Sequence, residues 1–384
     1  MKQWVEGAYH CLPRVGADAC ADAVRTFTTE DRFSAVLVSG APDKQQTAHV
    51  AHVADVADAV IAGLRQGALP DAAAETSLVE LPQDVHVSLS VLQVERAQEA
   101  HACEAHACRA HIVECDAPPL FLVQDGQPVL LPVVEETVGG YLVRQCRFSL
   151  QDGNHLAMVS EGFLRPRGQR WGWPDIAVAV RRWTDSGCDA EELLGALVRT
   201  YQRLNPDPPQ QDVAVIAMHV RQMRTTTLWT GPPVDSAQDE AVLRALMAEA
   251  GERVICGGTT AQIAARLLEA ELKTEPRPAG GWEEVPPTFR LEGIDLVTEG
   301  LITLRKASER VVQAKSVHDL PRGEDGATRL ARALLMADKV HLIVGLAVNP
   351  QQVDESGGPP RKGLVESVMR DLEARGKLVS VEYV

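Results

Sequence analysis

The chain has 384 residues, 45 % hydrophobic and 24 % charged, a composition that suits two ordinary globular domains and excludes both a single small module and a disordered chain. Lys and Arg (38) are outnumbered by Asp and Glu (53), and the net charge of −15 repels phosphate backbones and anionic headgroups, so neither nucleic acid nor membrane is an expected partner. No apolar run approaches the roughly 20 residues that cross a bilayer, the opening residues carry no apolar signal core, and eight cysteines are diluted over the chain, so reduced thiols and a cytoplasmic location are expected.

In chain order, residues 31–38 (DRFSAVLV) read as a strand and the Ala-rich, Val-spaced residues 47–65 as a helix. Alternating runs follow at 85–95, 109–115, 119–132 and 141–150, then HLAMVSEG, and together they read as an antiparallel meander. Asp125-Gly126, between LFLV and PVLL, is the strongest hairpin signal, because a tight hairpin turn needs positive φ. Residues 175–183 and 190–204 have helical periodicity, and the breaker cluster NPDPPQQ (205–211) leads into the strand VAVIAMHV. A first domain of α+β type is therefore expected over residues 1–222. From 223 to 384 strands alternate with helices (TTLWT, RVIC, IDLVT and VHLIV among the strands), the pattern of an α/β domain with a mainly parallel sheet. The Pro- and Gly-rich residues 274–287 read as an excursion from it.

Three acids of the first domain stand at strand ends or turns: Asp22, Glu161 before Gly162, and Asp212 before VAVIAMHV. Hard divalent cations such as Mn²⁺ or Mg²⁺ take oxygen ligands, and a two-metal site needs several carboxylates, one of them bridging. The pieces ACADAVRTFTTEDRFSAVLVSG, LAMVSEG and PPQQDVAVIAMHV, in this order, resemble the PPM-type metal-dependent serine/threonine protein phosphatases, in particular the bacterial branch typified by the sporulation stage II E phosphatase. The segments TGPPVD, VICGGTTAQIAARLL, EGIDLVTEGLITLRKA and DLPRGEDGATRLARALLMAD resemble the C-terminal extension of a subgroup found with iron-only hydrogenase genes. The resemblance implies an α-β-β-α sandwich, Mn²⁺ or Mg²⁺ held by Asp22, Glu161 and Asp212, and a phosphoprotein or regulatory protein as partner.

Several positions depart from that pattern. Ser39-Gly40 stands where the family has Asp-Gly, and that missing aspartate is the bridging ligand. Glu161 replaces an aspartate, Gln210-Gln211-Asp212 keeps one acid of two, and Ala41-Pro42-Asp43-Lys44 replaces a Gly-rich turn. A hydroxyl at Ser39 cannot supply a bridging negative charge, so the expectation is a phosphatase fold that has lost hydrolysis and serves signalling. The alternative is an active Mn²⁺- or Mg²⁺-dependent phosphoserine/phosphothreonine phosphatase with a rearranged site.

Cys256-Gly257-Gly258-Thr259-Thr260 lies between a strand and an apolar-periodic helix, where glycines admit a ligand close to the backbone and a first helical turn offers free N–H groups to an anion. No Gly-Lys-Ser/Thr follows, so this is not a Walker A loop, and a simple turn with an N-cap is the competing reading. Gly231, Glu299 and Gly345 also follow strands, and in an open parallel sheet such loops gather at the carboxyl edge. A small anionic ligand is expected there, with Arg322 as a phosphate partner and Asp295, Glu299 and Asp325 as polar contacts. Finally, the duplicated His-Ala-Cys (His101, Cys103, His106, Cys108) has spacing suited to Zn²⁺, the basis of a third reading as a zinc-dependent sensor, against an ordinary loop with incidental ligands. Arg165, Arg167 and Arg170 beside Trp171 and Trp173 suit a solvated loop or an acidic partner.

Overall fold

Alternating and continuously apolar runs both supply strands in the first 222 residues, and the fold sorts them onto two sheets. The computed structural model describes residues 2–40, 48–82, 85–96, 108–138, 140–164, 172–184, 187–276, 285–314, 316–347 and 360–384. It divides into two units, Met1–Gln222 and Met223–Val384. Among the described residues no helix is long and apolar enough to cross a membrane, and the seven described cysteines are free thiols.

The first unit opens with β1 (Gln3–Leu12), β2 (Ala23–Thr28), β3 (Arg32–Gly40), α1 (Ala48–Arg65), α2 (Pro70–Val79), β4 (Val87–Glu95) and β5 (Cys108–Cys115). It continues with β6 (Phe121–Gln124), β7 (Gln127–Val129), β8 (Val134–Val138), β9 (Tyr141–Leu150), β10 (His155–Val159), α3 (Glu161–Leu164), α4 (Trp173–Thr184), α5 (Ala190–Leu204) and β11 (Val213–Gln222). One antiparallel sheet has the order β2-β3-β4-β5-β9-β8 and the other β1-β11-β10-β6-β7. The runs read as one meander are thus shared between two sheets, since β6 and β7 leave β5 for the second sheet before β8 and β9 return to the first. Local alternation fixes a strand and its faces but not its neighbours. The Asp125-Gly126 turn forms as expected, with φ of 49° and 70°.

β4 shows why the alternation takes the form it does. Leu89 and Val91 face a core with α1 and α2, whereas Leu92 and Val94 face the core between the sheets, so the strand is buried on both sides. The outer face of the second sheet is covered by α3, α4 and α5, with Phe121, Val159 and Val215 packed on Phe163, Ile176 and Leu197. α5 begins at a capping box, in which Asp189 accepts from the Glu192 N–H and Glu192 from the Asp189 N–H. The layers are therefore helices, sheet, sheet, helices. Sequence reading missed β1, whose outer half alternates with exposed residues because it is an edge strand.

The second unit contains β12 (Thr225–Thr230), α6 (Asp239–Ala248), β13 (Glu252–Cys256), α7 (Gly258–Leu267), β14 (Lys273–Thr274), β15 (Thr288–Leu291) and β16 (Ile294–Thr298). It ends with α8 (Leu301–Gln313), α9 (Gly326–Met336), β17 (Lys339–Val344), α10 (Pro360–Ala374) and β18 (Leu378–Tyr383). In the order β14-β15-β16-β13-β12-β17-β18, every pair from β16 to β18 is parallel, and β14 and β15 form an antiparallel edge. From β12 the chain steps outward to β13 and β16, then returns to the other side of β12 for β17 and β18. Helices α8, α9 and α10 cover one face, while α6 and α7 cover the other. A reversal of strand order between β12 and β17 follows, which in open α/β sheets marks the crevice where ligands sit.

Candidate functional site

The pleat decides which side chains of the first unit meet at its strand ends. Val24 and Leu37 face the core between the sheets while Ala23 and Val38 face the α1 side, so Asp22 and Ser39, continuing that alternation, fall on the inner face. Ala23 pairs with Val38, which makes Asp22 and Ser39 the next opposed positions. On the second sheet Met158 and Ala214 face inward, which puts Ser160 and Asp212 on the same side, and Cys11 pairs with Ala214 from β1. Five strand ends therefore direct Asp22, Ser39, Ser160, Asp212 and Cys11 to one end of the sandwich.

The chemistry there is more enclosed than the sequence suggests. The hydroxyl of Ser160, a residue with no exposure, accepts from the Ala214 N–H at 2.9 Å. Asp22 Oδ2 is buried without a hydrogen-bond partner. Burial pushes the Asp22 carboxyl up to about 7; the Ser160 hydroxyl opposes that rise and the Asp212 charge adds to it. Asp212, 9 % exposed, is held by Arg14: Oδ1 accepts from the Arg14 N–H at 3.0 Å and Oδ2 lies 3.6 Å from the guanidinium. Ser39 is buried at 5 % and pairs with Ser88.

Two thiols join these acids. Cys20 donates to the Val213 carbonyl at 3.9 Å, and the neighbouring Cys11 and Cys20 thiols act on each other, which lowers the first and raises the second. Neither the thiols nor Arg14 was singled out from the sequence. The available signal was the strand QWVEGAYHCL, which would have carried Cys11 to the β11 edge.

Glu161 opens α3 directly after Ser160. The glycine following it has a packing cause, since a Cβ on Gly162 would strike the backbone carbonyl of Asp212. A cavity of about 170 Å³ lies alongside, lined by Gly162, Tyr201 and residues 204–211, including Gln210 and Gln211. Among the described residues, no three His, Cys, Asp or Glu side chains are gathered as a metal-binding group. Asp43, Arg165, Arg167, Arg170, Trp171, His101, Cys103 and His106 lie outside the described residues. Cys108 is buried in β5, with its thiol donating to Gln3 Oε1 at 2.9 Å, an interior position rather than a loop ligand.

At the carboxyl edge of the second unit, the register sets Thr230 beside both Cys256 and Val344, and Cys256 beside Thr298. Gly231, Gly257, Gly300 and Gly345 follow these strands. Gly257 takes φ 148°, a conformation closed to other residues, and it precedes α7 with no side-chain cap. Gly258, Thr259 and Thr260 form the first turn. Thr260 is 1 % exposed, with Oγ1 lacking a partner and turned toward Gly257. The α8 start at Gly300 is likewise uncapped by a side chain. Glu299 is half-buried, and its Oε2 is buried without a partner.

Arg322, the expected phosphate partner, is exposed on the turn before α9. The arginine at the edge is instead Arg361 of α10, whose guanidinium lies over Gly231 and donates to the Gly345 carbonyl at 3.3 Å. Its Nε is buried without a partner. Asp325 serves the fold, capping α9 through the Ala327 and Thr328 N–H groups and pairing with Arg310 at 2.5 Å. Asp295 accepts from the Arg253 N–H at 2.8 Å.

No family model and no curated protein matches the chain. Solved structures similar to it include the phosphatase domain of the cell fate determinant SpoIIE from Bacillus subtilis, with 14 % identity, 57 % of this chain and 93 % of that chain covered, and a TM-score of 0.42. RsbX in complex with magnesium is similar at 13 % identity, covering 56 % of this chain and 95 % of that one, with a TM-score of 0.42. The catalytic domain of the serine/threonine protein phosphatase PstP with two manganese ions matches at 15 % identity, with 57 % and 100 % covered and a TM-score of 0.37. All three are PPM-type phosphatase domains at low identity.

Proposed function

We propose that the first unit is a PPM-type serine/threonine phosphatase scaffold that has lost metal-dependent hydrolysis and acts in signalling by binding a phosphoprotein or regulatory protein, while the second unit binds a small anionic ligand. The family assignment, including the subgroup found beside iron-only hydrogenase genes, rests on the motifs quoted from the sequence and on the helix-sheet-sheet-helix layering.

One observation carries the loss of hydrolysis: the position opposed to Asp22 at the strand ends is Ser39, a buried neutral hydroxyl that cannot bridge two cations, while Asp212 accepts from the Arg14 N–H with the guanidinium 3.6 Å away. The remaining donors do not fit a pair of Mn²⁺ or Mg²⁺ ions either. The hydroxyl of Ser39 carries no charge, and the adjoining thiols Cys11 and Cys20 are soft where hard cations need oxygen.

Hydrolysis of p-nitrophenyl phosphate and of a phosphoserine peptide by purified protein, with and without Mn²⁺ and beside Ser39→Asp, tests this reading. The natural protein is expected to show no Mn²⁺-dependent turnover. Turnover that requires Mn²⁺ and disappears in Asp22→Asn would establish the active-phosphatase alternative.

A further inference from the structure

We propose that the carboxyl edge of the second unit's sheet binds a phosphate ester of a polyhydroxyl compound, a sugar phosphate or nucleotide, with its phosphate on the first turn of α7 beside Arg361 and a hydroxyl donating to Glu299. This deepens the anion-binding half of the reading above and is independent of the first unit.

Four observations converge on one place. The strand order reverses between β12 and β17, the position where open α/β sheets bind ligands, and the loops after them meet at one edge, the Gly345 N–H bonding the Thr230 carbonyl and the Ala347 N–H the Pro232 carbonyl. The α7 start lies at that edge with first-turn N–H groups that no side chain caps, and Gly257 brings the backbone there without a side chain in the way. Thr260 adds a hydroxyl that is almost wholly buried and unpartnered, an expensive state unless something arriving from outside satisfies it. Arg361 adds a fixed positive charge whose Nε is buried and unpaired, and burial lowers its guanidinium below the usual arginine value.

The kinds of unsatisfied group define the ligand class. Arg361 Nε and the α7 N–H groups are donors, Thr260 can donate or accept, and Glu299 Oε2 is an acceptor. A bare cation would leave the arginine and the helix start unanswered. Inorganic phosphate would answer them, yet its P–OH donors lie on the same small anion that those groups hold, and none extends away from it as an ester's hydroxyls do. An ester answers both sets, because its phosphate meets the donors and its hydroxyls meet the acceptor, the division of labour that places phosphate and ribose at opposite ends of a crevice in doubly wound sheets.

The test is calorimetric titration of the full chain with ribose 5-phosphate, AMP and inorganic phosphate. At least one ester is expected to saturate about tenfold more tightly than inorganic phosphate, the difference of roughly one hydrogen bond to a charged group. Arg361→Gln should weaken all phosphate binding by about tenfold or more. Glu299→Gln should weaken the ester by several-fold and leave inorganic phosphate unchanged or tighter.

Gly258→Asp guards against misfolding as the cause, since a Cβ there meets nothing within 4 Å and an acid suits a helix start. It should keep the melting temperature and abolish binding. Saturable inorganic phosphate binding that depends on Arg361, with no preference for an ester, would overturn the ester assignment and leave anion binding standing. No saturable binding of any probe, or binding indifferent to Arg361→Gln and Gly258→Asp, would overturn both.

Discussion

Both units gather polar groups at the ends of their strands, and the two clusters differ in how many of those groups the fold itself satisfies. In the first, most groups find partners within the fold, since Asp212 is held by Arg14 and Cys20 meets the Val213 carbonyl, and of these groups Asp22 keeps an atom, Oδ2, that is left unpartnered. In the second, Thr260, Glu299 and Arg361 each keep a buried polar atom with no partner. The difference teaches that charged residues at strand ends are weak indicators of function by themselves. What sets the second cluster apart is that a donor, a hydroxyl and an acceptor are all left with valences for a visitor.

The glycines sharpen the contrast most. Gly162 is required by the close approach of the Asp212 carbonyl, so Gly162→Ala is expected to destabilise the first unit by about 3 kcal/mol, read as a lowered melting temperature. Gly258 has open space around it, so Gly258→Ala should leave stability unchanged or raise it by about 0.5–1 kcal/mol. Equal effects at the two positions would erase the distinction between a packed cluster and an open edge.

Asp22 supplies the next test, with a sign fixed by its raised acidity. The folded state keeps its proton up to about pH 7, whereas the unfolded chain loses it near pH 4. Between those limits the folded state binds more protons, so this contribution to stability is present at low pH and is lost as pH rises through the window. Asp22→Asn removes the penalty. In metal-free buffer at pH 8 the variant should be more stable than the parent by about 2–4 kcal/mol, and indistinguishable near pH 4. A destabilised variant at pH 8 would mean that the Asp22 carboxylate is held charged by a partner.

Arg14→Gln should have a smaller effect. Its guanidinium is half-exposed and 3.6 Å from Asp212, so its loss is expected to cost about 0.5 kcal/mol, while the backbone N–H bond to the same carboxylate persists. A double-mutant cycle with Asp212→Asn reads that coupling directly.

Much of the secondary structure was legible because it follows period and punctuation. Residues 141–150 and 190–204 were bounded as the structure bounds them, and Asp125-Gly126 turned where positive φ was demanded. Sheet membership was less legible, since β5 and β6 are consecutive yet belong to different sheets, and nothing local records which edge a strand joins. At the sites, position in the fold decided what residue type could not. Arg322 and Arg361 are both arginines near Gly-containing loops, but it is Arg361, carried by α10 to the ends of β12 and β17, that lies over Gly231 at the edge. Likewise, Asp22 and Asp212 were visible as acids, whereas their neighbours Arg14 and Ser160 are spread across 198 and 138 positions of chain and meet only through sheet register.

The central claim is that the strand-end groups of the first unit do not assemble a two-metal centre. Calorimetric titration of the full protein with Mn²⁺ at pH 8 tests it most directly. The account predicts no saturable heat at micromolar to millimolar Mn²⁺ and no rise in melting temperature. A two-site isotherm that is lost in Asp22→Asn and in Asp212→Asn would contradict it.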